Sequence, residues 1–316
     1  MKVSDIVQKL TGYGSRPKES ESIETLVKLY KRQMIAKTVV MLLVLISLVV
    51  QLGFSKRPPS LTVPHVAVIK VHGAIGGENG VQGVDVIKAI KEAYNSPTAK
   101  GIMLDLNSGG GSPVQAEMVY EYLMSLRDKG KPIKAIVQEG CMSACYYIAS
   151  AAESITAHRS SVVGSIGVRM DLWDFSEVKD RYGIGKKTLS AGTHKTILDS
   201  WSDNTMSEES IELVSKNAMN PLYESFVSDV KAARENINEV SYPNIYQGMF
   251  YSASKAKDAG LIDHVESLYF FKENFMDELD VTDSRIYEQR KKSFFETLGF
   301  PSISVNLNLP NSSVTS

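Results

Sequence analysis

The chain has 316 residues, 43% of them hydrophobic and 22% charged, enough for one sizeable core or two small ones. With 35 Lys and Arg against 36 Asp and Glu the formal net charge is -1, which lacks the basic field that neutralises phosphates, so nucleic acid is not an expected partner. Its 2 cysteines are too few for a disulfide scaffold and lack the companions of a zinc site; neither a metal nor an organic cofactor is expected.

A polar tail, residues 1–37, gives way at Thr38 to TVVMLLVLISLVVQLGF, which ends at Phe54 and carries no charge. The run is at the short end of what spans a hydrocarbon core of about 30 Å, and Met34 to Ala36 extend it if Lys37 snorkels. It predicts a single membrane-spanning helix. A cleaved signal peptide fits less well, because the polar region ahead is long and FSKRPPS offers no small-x-small cleavage site. Lys28, Lys31, Arg32 and Lys37 on one side, against Lys56 and Arg57 on the other, place the N-terminus in the cytoplasm. The rest of the chain is then expected on the extracytoplasmic, periplasmic side of an inner or plasma membrane. Residues 55–64, with RPPSL, read as a stiff linker.

Beyond the linker, strand and helix patterns alternate. HVAVIKV from His65 is a buried strand, Val84 to Tyr94 has helical spacing, GIMLDL from Gly101 is a second strand, Pro113 to Leu126 a helix, and Ile133 to Gln138 a third strand. This order predicts an α/β layer of mostly parallel strands with right-handed crossovers. Ligands of such sheets sit at the carboxyl ends of strands, which singles out two loops. The first, NSGGGSP from Asn107 to Pro113, can present bare amides to an oxyanion. Taken alone it reads first as a strand-to-helix turn with Ser112 as N-cap and Pro113 opening the helix. The second is EGCMSACYYIAS, Glu139 to Ser150, where Ser143 stands at a strand-to-helix turn between Cys141 and Cys145. No histidine of the chain is placed as an evident partner for that serine, and no G-x-S-x-G elbow is present.

Ser143 with YYI at Tyr146 to Ile148, AAESITAHRSSVVGSIGV ending at Val168, SAGTHK from Ser190 to Lys195 and MFYSASKAKDAGLID from Met249 to Asp263 resemble the signal peptide peptidase A family of serine-lysine peptidases, including its SohB-like members. The resemblance runs in order from about Val66 to Val265. It implies a layered fold of the ClpP/crotonase type, with a peptidase domain over 65–270. It also implies Ser143 as nucleophile, Lys195 as general base and Ser165 as the hydroxyl that orients the lysine. The oxyanion would be held by Gly110 and by an amide at or just after the nucleophile, that of Ala144. Substrates would be signal peptides or membrane-protein fragments, and the active form a homo-oligomer anchored in lipid by the N-terminal helix. Gly109 stands where the family more often has proline, and Ala144 and Cys145 where it has two glycines.

The chemistry asks for such an arrangement on its own terms. A lysine serving as base must be neutral, against an ordinary pKa of about 10.4, so its pocket has to exclude water, and a hydroxyl can orient it without adding a counter-charge. A rival reading makes Cys141 or Cys145 the nucleophile with His194 as base. If residues 141–145 were helical, Ser143 would point away from both cysteines, which are expected to be free thiols packed in the core. Two further readings stay open: a catalytically silent membrane scaffold of the same fold, and a crotonase-like acyl-CoA enzyme, which would need carboxylates in its active loops. Toward the C-terminus, Glu208 to Arg234 is helical with a break or restart at Pro221. Glu288 to Leu298 reads as an amphipathic helix or, equally, as a frayed domain end, within a C-terminal region, 271–316, expected to end in a polar disordered tail.

Overall fold

The computed structural model describes residues 17–54, 63–202 and 207–287; in the N-terminal helix, side chains are described at Thr25 and from Val27 to Leu45. The chain divides into two units, Met1–Leu61 with Leu298–Ser316, and Thr62–Thr297. The expected helix over 288–298, the polar tail after it, the linker over 55–62 and the start of the N-terminal tail lie outside the described residues.

In the first unit, helix α1 (Pro17–Phe54) runs unbroken through the apolar segment. Among the described residues no helix is long and apolar enough to cross a membrane. The described side chains stop at Leu45, so the second half of the predicted span lies outside them.

The second unit is an α/β layer. Its elements are β1 (His65–His72), α2 (Gly83–Asn95), β2 (Ala99–Ser108), α3 (Pro113–Leu126), β3 (Ile133–Met142), α4 (Ala144–Ser150), β4 (Ser154–Ala157), β5 (Val162–Gly164), α5 (Ser176–Arg181), α6 (Glu208–Val214), α7 (Asn220–Ala233), β6 (Phe250–Ser252), α8 (Ala253–Asp258), β7 (His264–Val265), α9 (Leu268–Glu278) and β8 (Asp283–Ile286). Among the described residues the strands form one sheet in the order β6-β5-β3-β2-β1-β8, with β4 and β7 branching from β3. Every pairing is parallel except β5 with β6. The branch arises because β3 changes partner along its length: Lys134 to Val137 pair with β4, Gly140 to Met142 with β5.

Alternation along the strands decides the two faces. Ala67, Ile69 and Val71 of β1 and Ile102, Leu104 and Leu106 of β2 point to the layer of α2, α3, α4 and α7, where the larger core lies. Helix α2 meets it with Val86, Ala89, Ile90 and Ala93, a spacing of one helical face. The opposite face, with Val66, Val68, Met103 and Ile136, is covered by Phe271 and Phe275 of α9. The folded unit therefore runs past residue 270, where the sequence placed the end of the peptidase domain. The 271–287 stretch supplies the lid of the second face and β8, whose Asp283 to Ile286 pair with His65 to Val68.

The expected helix over 208–234 forms as α6 and α7 with a π-helical turn, Ser215–Met219, between them, and Pro221 stands in the first turn of α7. Its far end is tied down by Arg234, which is 8% exposed and donates to both oxygens of Asp263, at 3.0 and 2.8 Å. Asp263 also accepts the Ile155 N–H at 2.7 Å, joining α7 to the β4 and β7 branch. Burial by itself would raise the Asp263 carboxyl; the Arg234 bonds and charge outweigh it and hold the group below its usual value. A carboxyl lowered on folding adds stability above its unfolded pKa of about 3.9, and that contribution is lost as pH falls through the lower folded value. Asp263→Ala leaves a buried guanidinium without its partner and is expected to cost about 3 kcal/mol in urea unfolding at neutral pH. The gap from wild type should narrow in acid, below about pH 4.

Candidate active site

Strand β3 extends four residues beyond its predicted end, so Cys141 and Met142 are extended, Ser143 is the turn, and the helix begins at Ala144. This overturns the expectation that the two cysteines share a helical face as free thiols. The turn folds the first residues of α4 back beside the end of β3, and Cys141 and Cys145 are joined in a disulfide with Cα atoms 5.1 Å apart. Among the described residues no free cysteine remains, which removes the reading of Cys141 or Cys145 as a nucleophile paired with His194.

Ser143 holds φ 53° and ψ -123°, a backbone conformation that costs a residue with a side chain roughly 1–3 kcal/mol and persists only where its surroundings impose it. Its N–H donates to the Gly164 carbonyl at 2.8 Å, and its own carbonyl accepts the Tyr147 N–H at 3.0 Å. From the other side the glycine loop presses on the turn. A Cβ at Gly110, φ 109°, would stand 2.9 Å from both the Met142 carbonyl oxygen and the Ser143 Cβ. Next to it, Ser112 caps α3 through the Gln115 N–H and Pro113 opens that helix, as the sequence predicts.

The turn opens into a cleft of about 790 Å³ lined by Ser143, Ala144, Gly109, Gly111, Ser165 and the α7 wall. Ser165 also has a positive φ, 54°, and is held by its N–H on the Met249 carbonyl at 2.7 Å. The structure thus brings Ser143, Ala144 and Ser165 to one cleft. Gly110 lies directly behind Ser143, and its amide donates to Ser108 Oγ at 3.1 Å. Lys195 does not line the cleft: it lies in an exposed turn whose backbone closes on Gly192 at 3.2 Å. That turn belongs to the stretch 169–202, which exposes apolar side chains to an unusual degree, Leu189 at 87% and Trp173 at 69%. Within it Phe175 lies parallel to Trp173 and tilted against Trp201.

The floor of the cleft was not anticipated. Tyr147, one helical turn after Ser143, lies nearly flat on Phe226 with ring centroids 4.5 Å apart, and its hydroxyl donates to the Asp229 carboxylate. Tyr120 tilts against Tyr147 at 5.0 Å and donates to the Asp229 carbonyl at 2.7 Å. Burial, reinforced by Asp229, raises both phenols, Tyr120 to about 12, so they remain neutral donors. The i to i+4 spacing of Ser143 and Tyr147 is visible in the sequence; the arrival of Phe226 and Asp229 from α7 is not. Met219, Leu222 and Tyr223 add apolar groups to a rim that also carries Arg169, Asn220 and Gln247, and no carboxylate lines the cleft among the described residues. Tyr147→Phe leaves the stack intact and strips Asp229 of one donor, and is expected to cost about 1–2 kcal/mol of stability in urea titration.

The model of peptidase family S49 matches residues 125–282, which hold the serine turn, Ser165, the α7 wall of the cleft and Lys195, but not the glycine loop. The chain belongs to peptidase family S49. Among similar sequences, the "Putative protease MJ0651" of Methanocaldococcus jannaschii is 33% identical over 180 residues, 57% of this chain and 56% of that protein. A "Putative signal peptide peptidase SppA" of Enterococcus faecium is 24% identical over 213 residues, 67% of this chain and 60% of that protein. A protein of Brucella melitensis named "Na(+)/H(+) antiporter NhaA" is 28% identical over 221 residues, 68% of this chain but 30% of its own length. The chain thus spans between about a third and three-fifths of these relatives. In structure, a point mutant of ClpP1 from Listeria monocytogenes aligns with 63% of this chain and 91% of its own at a TM-score of 0.41 and 16% identity.

Proposed function

We propose that this S49 chain is a serine endopeptidase in which Ser143 attacks a peptide carbonyl, Lys195 takes the serine proton and later delivers it to the leaving amine, and Ser165 orients the lysine. The observation that carries this reading is the Ser143 turn: a strained serine at the junction of β3 and α4, facing a carboxylate-free cleft shared with Ser165. The acyl-CoA alternative, which needs carboxylates there, loses its support. The Ala144 amide, at the start of α4, is one oxyanion donor. Gly110 supplies the second by exchanging the 3.1 Å bond to Ser108 for the stronger one to a charged oxygen.

Base catalysis requires Lys195 to leave water and reach a serine. Its exposed apolar surroundings over 169–202 support a homo-oligomer in which that stretch is covered and the lysine is brought into a Ser143 cleft. Met219, Leu222 and Tyr223 on the rim suit apolar residues of a peptide, and cleaved signal peptides or membrane-protein fragments fit both that side of the cleft and the similarity to the Enterococcus signal peptide peptidase.

Anchoring in a membrane is part of the same reading. In α1 every described side chain from Val39 to Leu45 is apolar and between 49% and 64% exposed, a surface that a bilayer accepts and water does not. Lys28, Lys31, Arg32 and Lys37 favour a cytoplasmic N-terminus, and the Cys141–Cys145 disulfide suits an extracytoplasmic peptidase domain. The position of Lys195 outside the cleft is the one observation that favours a silent scaffold instead. A fluorophosphonate probe separates the two: labelling that maps to Ser143 in the assembled protein supports the peptidase, and no labelling there establishes the scaffold.

A further inference from the structure

We propose that the Cys141–Cys145 disulfide is a positioning device for the nucleophile, locking the Ser143 turn in its reactive shape, so that the site is competent only in the oxidised chain. The inference rests on Ser143 being the nucleophile. Its ground is where the bridge sits. Cys141 is fixed in the sheet, its backbone paired with Ser108 on one side and Val163 on the other. Cys145 is in the first turn of α4, and both cysteines are 0% exposed. Between them stands Ser143 at positive φ, a conformation that its own side chain disfavours. A serine there relaxes if the first turn of α4 can swing away from the end of β3, and the bridge denies it that movement.

Joining residues four apart closes a short loop, so the bridge removes less freedom from the unfolded chain than a long-range one would. The effect of the bridge is therefore local to the folded site, and its loss should show in the acylation rate before it shows in melting temperature. Because both cysteines are shielded, reductant added to the folded protein has no direct path to the bond, and the redox state is set where the chain folds. Formation passes two electrons and two protons from the thiols to a disulfide-type oxidant, which leaves as a dithiol, so export to an oxidising compartment would switch the site on.

The test uses the full chain in detergent and follows the rate at which a fluorophosphonate acylates Ser143. Mass spectrometry after alkylation under denaturing conditions should find no free thiol in active wild type. Cys141→Ala/Cys145→Ala, and separately wild type unfolded and refolded under a phosphine reductant, should acylate about ten-fold or more slowly at saturating probe, with the melting temperature little changed. Re-oxidation by glutathione disulfide should restore the refolded wild type but not the double variant. Equal rates in oxidised and bridge-free forms, or two free thiols in active protein, would overturn the proposal while leaving the peptidase reading in place. No acylation of oxidised, assembled wild type would overturn both.

Discussion

Lys195→Ala is expected to lower kcat/KM on an apolar peptide by roughly 10³–10⁴-fold, about 4–6 kcal/mol of transition-state stabilisation, with KM little changed. Two effects set that size. In the proposed mechanism the serine loses the group that takes its proton, and the leaving amine loses the group that returns it. Ser143→Ala should be at least as severe. Mixing the two inactive chains gives a sharper result, because each retains what the other lacks. Lys195 lies outside the cleft of its own chain, on a stretch whose exposed Trp173 and Leu189 call for a covering surface. If assembly delivers the lysine to another copy's serine, co-refolded Ser143→Ala and Lys195→Ala chains should regain a fraction of wild-type turnover, since some sites then hold both groups. Recovery would place the dyad between copies; its absence, with both variants assembled, would place it within one chain. Loss of less than ten-fold in Lys195→Ala would remove the lysine from the mechanism.

Gly110→Val should be nearly as damaging for a different reason. The glycine sits at φ 109°, and a Cβ there would lie 2.9 Å from the Met142 carbonyl oxygen and from the Ser143 Cβ. The Met142 backbone on one side and the Ser143 Cβ on the other leave nothing flexible to yield. The loop must withdraw, carrying its amide away from the proposed oxyanion position, or the serine turn must shift. Either movement predicts about a 10²–10³-fold loss in kcat, the size seen when one oxyanion donor is removed. Substitution at Gly109, where nothing lies within 4 Å of an added Cβ, should be far milder, and the two variants compared in one assay distinguish a steric cause from a general loss of loop freedom.

Much of this architecture is legible in the chain itself. Helix α3 spans Pro113–Leu126, the bounds that its apolar spacing and the Ser112-Pro113 start imply, because a local capping signal fixes a helix end independently of distant contacts. The strands are found but drawn too short, most consequentially β3. Residues Glu139 to Met142 carry no clear alternation, and they are extended because β5 and β2 offer ladder partners, information that lies elsewhere in the chain. From that shortfall followed the misplaced helical phase and the expectation of free thiols. Ser143, Ala144 and Ser165 line one cleft because they follow the ends of β3 and β5, neighbouring strands of one sheet. Asp229, Phe226 and the π-helical turn before α7 were beyond reach, for they enter the site only through packing across some eighty residues of sequence, as the Tyr147–Asp229 contact (82 residues apart) shows.

The pairing of β8 with β1 also bears on how the molecule is made. Strand β1 is among the first parts of the peptidase unit to be synthesised, yet its partner on one side begins at Asp283, opposite His65. At roughly 5–20 residues per second of translation, that edge waits on the order of 10–40 seconds for its neighbour. Through that interval HVAVIKV is an unpaired, apolar parallel edge, the kind of surface on which nascent chains aggregate or are held by chaperones. A chain that ends before residue 283 never closes it, so quality control of truncated products has a ready signal in the first strand.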